Sequence, residues 1–276
     1  MIYLVGMSHA INVLKVCSRE PLGFSHDNWV AQFSAGQFFD LPLKPGVLPE
    51  DVLKVFIITP AEGWGSVGEF REQDGKQEVV VVPGYVDLLK SIAPESAAVF
   101  SFINGNEHAA LSLVQNRAPF DFVLPGDMEA SVLPGHQVIP IEVVTRQMER
   151  ALGPTIAALG AMRIVLPQTR LIHVVSPPPI ASEARIKQYP EIFSGSFAEC
   201  GVTPLSLRQK YFALYVRILQ QKLAPYRIEL LMPPAAALDA NGALPDDYAF
   251  GCTHGNEAYA ALVAAQMQRA LQGETA

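Results

Sequence analysis

Ile2-Tyr3-Leu4-Val5-Gly6-Met7-Ser8-His9, running on into the helical segment Ala10–Val16, is the part of the chain on which its architecture turns. Four apolar residues in a row, with no polar residue at alternate positions, predict a strand buried on both faces. A strand of that kind belongs in a parallel sheet covered by helices on either side. Outward from it, the alternation of short apolar runs and amphipathic segments repeats. Further strands are predicted at Trp29–Phe33, Ala97–Ile103, Leu171–Val175 and Ile228–Met232. Tyr85–Ile92 reads as a short helix. Ile141, Val144, Met148 and Leu152 recur near the helical period, and Gly153-Pro154 predicts a break or kink before a second helix to about Val165. Thr203-Pro204 offers a cap and a first-turn proline to a helix reaching Leu223, with Phe212, Tyr215, Ile218 and Leu219 as its buried stripe. Gly255–Leu271 is the closing helix.

The expectation is an α/β three-layer sandwich: a flavodoxin-like five-stranded parallel sheet with helices on both faces. Residues 1–276 read as a single domain with an insertion at about 40–84. That insertion fits the rhythm poorly. Val52–Thr59 and Glu78–Val82 both read as strands, and Asp74-Gly75 is a turn pair, so the segment reads either as an antiparallel hairpin excursion or as a plain loop insertion. Gly63, Gly65 and Gly68 read as a flexible loop around Trp64.

Composition narrows the function. Of the 276 residues, 50% are hydrophobic and 17% charged, which excludes a disordered chain. The 20 basic and 27 acidic residues give a net charge of -7 with no basic cluster, so no nucleic-acid partner is expected. No apolar run approaches the ~20 residues that cross a bilayer, so no membrane span is expected. The N-terminus lacks the basic region of a signal peptide. Cys17, Cys200 and Cys252 are widely spaced and form no CxxC. A cytoplasmic location follows as the expectation, without a disulfide framework.

Three short segments could carry chemistry, and each sits where a predicted strand ends. In open parallel sheets, ligands bind outside the carboxyl ends of the strands. Gly6-Met7-Ser8-His9 places a hydroxyl at a tight turn, where Ser8 could equally cap the helix. Gly105-Asn106-Glu107-His108 offers a side-chain amide to a developing oxyanion. Thr253-His254-Gly255-Asn256 offers an imidazole, His254, as a base. His9, His26, His108, His136 and His173 compete for that role. His9, His108 and His254 lack the spacing of a metal site, and Gly6-Met7-Ser8-His9 is not a dinucleotide fingerprint, so neither metal nor cofactor is expected.

Taken in order, these segments resemble the SGNH (GDSL-type) hydrolases, whose serine follows the first strand, a glycine the second, GxN the third, with DxxH near the C-terminus. The matching residues are Ser8, Gly36, Asn106 and His254, and Thr253–Tyr259 is similar to a THxNxxYG-type ending. The resemblance implies a serine esterase or acylhydrolase with Ser8 as nucleophile and His254 as base. It also implies an oxyanion hole from the Ser8 and Gly36 backbone N–H groups and the Asn106 amide. Two positions depart from it: Met7 replaces the family's aspartate before the serine, and Gly251 stands where the family has the acid that orients the histidine. Asp246, Asp247 or a backbone carbonyl could substitute. The substrate would be a small-molecule ester or an acylated glycan, and a homo-oligomer is compatible with the sequence. The Gly251 departure also supports an impaired or acyl-transferring relative that binds a small molecule or glycan. A third reading makes the 40–84 segment a partner-binding surface.

Overall fold

The computed structural model describes residues 1–23, 38–58, 67–73, 76–103, 105–126 and 132–273. The first strand, β1 (Ile2–Gly6), is buried along its whole length. Alternation along a strand sends Ile2 and Leu4 to one face and Tyr3 and Val5 to the other. The two pairs enter separate hydrophobic clusters, one per face. A short 3-10 turn, Ser8–Ala10, leads into α1 (Ile11–Cys17). Then come β2 (Phe39–Pro42), β3 (Val52–Ile57), β4 (Gly68–Gln73), β5 (Lys76–Val81), α2 (Pro83–Lys90) and β6 (Ala98–Phe102). After α3 (Glu107–Ser112) the small pair β7 (Phe120–Asp121) and β8 (Gln137–Val138) precedes α4 (Ile141–Val165) and β9 (Arg170–Val174). The remainder is α5 (Glu183–Gln188), α6 (Ser194–Cys200), α7 (Leu205–Leu223), β10 (Glu229–Leu231), β11 (Ala249–Phe250), β12 (His254–Gly255) and α8 (Glu257–Gln272).

The central sheet has six strands in the order β10-β9-β6-β1-β3-β2. All neighbours are parallel except β2, which runs antiparallel to β3. The five-stranded, wholly parallel flavodoxin-like sheet expected from sequence is therefore corrected to six strands with one antiparallel pair. β2 alternates between exposed and buried residues and ends at Pro42, as suits an edge strand. The place beside β1 belongs to Val52–Ile57, which registers Ile2 on Leu53 and Gly6 on Ile57. Part of the presumed insertion is thus sheet core. The reason is that Leu53, Val55, Phe56 and Ile57 bury side chains on both faces, and full burial of such side chains is worth about 1.5–3 kcal/mol each. The strand candidate Trp29–Phe33 and the turn Asp74-Gly75 lie outside the described residues.

A hairpin does form further on, but it pairs β5 with β4 rather than with Val52–Thr59. It packs on α4 at Gly153-Pro154: a Cβ at Gly153 would come 3.1 Å from Val79, and one at Gly68 3.1 Å from Pro154. The predicted break is absent, and α4 continues for 25 residues with Pro154 inside it. The hairpin supports the point at which the proline removes a helix hydrogen bond.

Helices cover both faces. α1 and α8 pack together against Ile2 and Leu4, while α2, α4 and α7 cover Tyr3 and Val5. On α7 the buried stripe takes in Tyr211 and Leu214, Phe212 being only half-buried, and Pro204 is the capping residue rather than the first helical one. Lys210 on the same helix is buried and donates to both oxygens of the fully buried Asp121 carboxylate at 2.8 Å. No helix among the described residues is long and apolar enough to cross a membrane. From β1 the sheet extends to β3 on one side and β6 on the other, leaving a crevice at the carboxyl ends of β1 and β6.

Candidate active site

Ser8 leaves β1 through a turn that only a residue without a Cβ can make. At Gly6 an added Cβ would sit 2.8 Å from Phe102 Cβ and 3.0 Å from Ala10 Cβ. The Met7 N–H donates to the Phe102 carbonyl at 3.1 Å, so β6 continues to guide the chain past the end of β1. No side chain caps this turn, and the Ser8 hydroxyl is used otherwise. It lies 3.0 Å from His254 Nε2. The alcohol and the imidazole, 246 residues apart in sequence, are in hydrogen-bond contact.

His254 is buried and enters from β12, which pairs with β11. Asn12 of α1 fastens this segment by donating from Nδ2 to the Gly255 carbonyl at 2.7 Å. Asn256 caps α8, its Oδ1 accepting the Tyr259 N–H. The other ring nitrogen, His254 Nδ1, meets Thr253 Oγ1 at 2.9 Å. With Nδ1–H donating to that hydroxyl, Nε2 keeps its lone pair for the Ser8 proton.

Asn106 follows β6 beyond Gly105, whose φ of +109° and close approach to Ser176 Cβ (2.9 Å from a built Cβ) demand glycine. The Gly105 N–H donates to Glu107 Oε2 at 3.0 Å, and Thr155 Oγ1 donates to the second carboxyl oxygen. Desolvation raises the Glu107 pKa, and the hydrogen bonds from Thr155 and Gly105 oppose that rise. Asn106 Oδ1 lies 2.9 Å from His9 Nε2. An amide oxygen only accepts, so His9 carries its proton on Nε2. That leaves the Asn106 amide N–H groups for another acceptor. The His9 ring also stacks on His254, with centroids 4.4 Å apart. His9 thereby ties Asn106 to the Ser8–His254 pair.

His108 lies deeper, between Phe212 and Tyr215. Burial, followed by the charge of His9, pushes its pKa down to about 3. It is a neutral interior group. Burial, with Glu191 second, pushes the Cys252 thiol up to about 12, so it is protonated at neutral pH and unsuited to nucleophilic attack. A largely apolar cleft adjoins the pair, lined by His9, Asn12, Phe102, Ser176, His254 and Tyr259 among others.

Of the residues singled out in the sequence, Ser8, Asn106 and His254 are brought together. Asp246 and Asp247 occupy an exposed turn. The Asp247 carbonyl accepts from Asn256 Nδ2 at 2.7 Å, and it is Thr253 that meets His254 Nδ1. Gly36 lies outside the described residues. Sequence reasoning named His9 only as a competitor for the base and assigned no role to Thr253 or Asn12. The signal for the positions actually taken by His9 and Thr253 was their adjacency to Ser8 and His254.

No protein-family model matches the chain, and no curated protein matches it in sequence. Several solved structures align along nearly the whole chain. A Bacteroides fragilis protein assigned as an acylhydrolase superposes with a TM-score of 0.44 at 10% identity, covering 99% of this chain and 86% of its own. The periplasmic domain of a lipopolysaccharide acetyltransferase from Salmonella Paratyphi A gives 0.44 at 10%, over 98% and 82%. The aryl esterase of M. smegmatis gives 0.42 at 12%, over 99% of both chains.

Proposed function

We propose that the chain is a carboxylic-ester hydrolase of the SGNH type, acting on a small-molecule ester or an acylated glycan. The 3.0 Å contact between Ser8 Oγ and His254 Nε2 carries this reading. Ser8 Oγ attacks the ester carbonyl carbon while His254 Nε2 takes its proton. The carbonyl oxygen becomes an oxyanion that accepts from the Asn106 amide, a contribution of about 3 kcal/mol for a donor so placed. The tetrahedral intermediate collapses by breaking the bond to the leaving alkoxide, which receives the proton from His254. Water, deprotonated by the same imidazole, then releases the acid from Ser8. Thr253 Oγ1 fixes the tautomer throughout, a task the resemblance gives to an aspartate.

Hydrolysis of a short-chain nitrophenyl ester tests the proposal. Ser8→Ala is expected to lower kcat at least ~10³-fold, and equal turnover by wild type and variant would remove Ser8 from the mechanism. The hydroxyl, in place of a carboxylate, on His254 Nδ1 favours a second reading, a binding or acyl-transferring site with slow hydrolysis. Rapid labelling of Ser8 by a fluorophosphonate would count against the non-catalytic form of that alternative.

A further inference from the structure

Gly251 occupies the position where the resemblance implies the acid of a triad, and the room a side chain would need there is already filled. Its φ is +56°, and a Cβ built on it would land on Glu191 Oε1. That oxygen accepts the Cys252 backbone N–H at 3.1 Å, from 61 residues earlier in the chain. Glu191 and Arg227 are the two non-glycine residues of positive φ among the described residues, Glu191 at +48°. A conformation that L residues avoid persists when surrounding contacts hold it, and such residues gather at functional sites. Here the contact is a carboxylate set against the turn that carries Thr253 and His254. Glu191 also accepts from the Cys252 thiol, which burial keeps protonated. Arg185 donates to the Ala249 carbonyl and lies over the Tyr189 ring, His9 stacks on His254, and Asp246 and Asp247 are exposed.

We propose that Glu191 is the positioning acid of this site, delivered from another segment into the space left by Gly251. It holds the Gly251–Thr253 turn so that the Thr253 hydroxyl meets His254 Nδ1. Its negative charge favours the imidazolium that forms when His254 takes the Ser8 proton. The kinetic part of this inference rests on the hydrolase reading; the electrostatic part does not.

The test compares wild type, Glu191→Gln, Glu191→Gly and the double variant Glu191→Gly/Gly251→Asp. The readouts are the His254 pKa, followed by NMR of the ring nitrogens, and kcat and KM on a short-chain nitrophenyl ester. Glu191→Gln keeps the shape and removes the charge. It should lower the His254 pKa by about 0.5 and kcat about threefold to tenfold, with KM unchanged, the modest size reflecting solvent screening at an exposed carboxylate. Glu191→Gly should lose more, and the double variant should restore both quantities to within about threefold or about 0.3 of a pKa. An unchanged His254 pKa in Glu191→Gln overturns the proposal, as does a double variant no better than Glu191→Gly. Absence of esterase activity in the wild type would defeat the hydrolase reading while leaving the NMR comparison decisive for Glu191.

Discussion

Two turns at the same rim of the sheet, one after β6 and one before β12, are built alike and supported differently. Each contains a glycine of positive φ, Gly105 or Gly251, and in each a carboxylate accepts a backbone N–H. For the first, the carboxylate is Glu107, two residues along the chain and half-buried. For the second it is Glu191, exposed and far away in sequence. The first turn is held by its own adjoining helix, whose Glu107 also accepts from Thr155. The second exists only when α5, the segment after it and β12 have met. A local, desolvated anchor gives rigidity, whereas a distant, solvated one leaves the turn responsive to charge.

The contrast can be broken most forcefully at the glycines. Gly105→Ala adds a methyl group against Ser176 Cβ at an unfavourable φ, and should cost about 3–5 kcal/mol. Gly251→Ala meets only the tip of a flexible carboxylate and should cost about 1 kcal/mol. Urea midpoints of the two variants measure the difference, and equal losses would erase the distinction between the turns.

Acid sharpens the same contrast. Next to Glu107, burial, with His9 second, holds the His108 pKa down to about 3, and burial holds that of His173 down to about 4, against an ordinary 6.5. The unfolded chain therefore binds more protons than the folded one below pH 6.5. The stability these neutral rings contribute is complete above that pH and is lost as pH falls toward their folded values. Each ring adds a slope of about 1.4 kcal/mol per pH unit. His108→Phe should remove one ring's share of the slope between pH 6.5 and 4.5 in denaturant unfolding. An unaltered slope would show that the β6 turn is not the acid-labile one.

The smallest effect is expected at the second turn. Thr253→Val keeps the volume and removes the hydroxyl from His254 Nδ1, so kcat for ester hydrolysis should fall about tenfold with little change in stability. A variant with wild-type kcat would show that the tautomer is held by something else.

What the sequence disclosed follows the same division between local and distant support. β1, β6 and β9 announce themselves because burial on both faces favours apolar-rich runs, and Ser8 and Asn106 follow directly from the first two strand ends. The helix starting beyond His254 is equally local, capped by Asn256. The position of Val52–Ile57 beside β1 was not legible, since nothing in six apolar-rich residues says which strand they will pair with. Nor was the continuity of α4 through Pro154, which depends on a hairpin from elsewhere. Asp247 was a natural expectation from chain proximity, yet the nitrogen it was assigned to is met by a neighbouring hydroxyl. Glu191 carried no motif at all, because its relation to Gly251 exists only in space.

The 246-residue separation between Ser8 and His254 also bears on when the molecule becomes competent. A polypeptide emerging from the ribosome can assemble the first half of its sheet long before the imidazole exists. The chain-closure entropy of so long a loop rises only logarithmically with its length, so the thermodynamic penalty for drawing both partners from opposite extremities is modest. The kinetic consequence is larger: docking of α8 onto α1, clasped by Asn12, has to come late. The Ser8–His254 contact is therefore absent from every nascent form that stops short of His254.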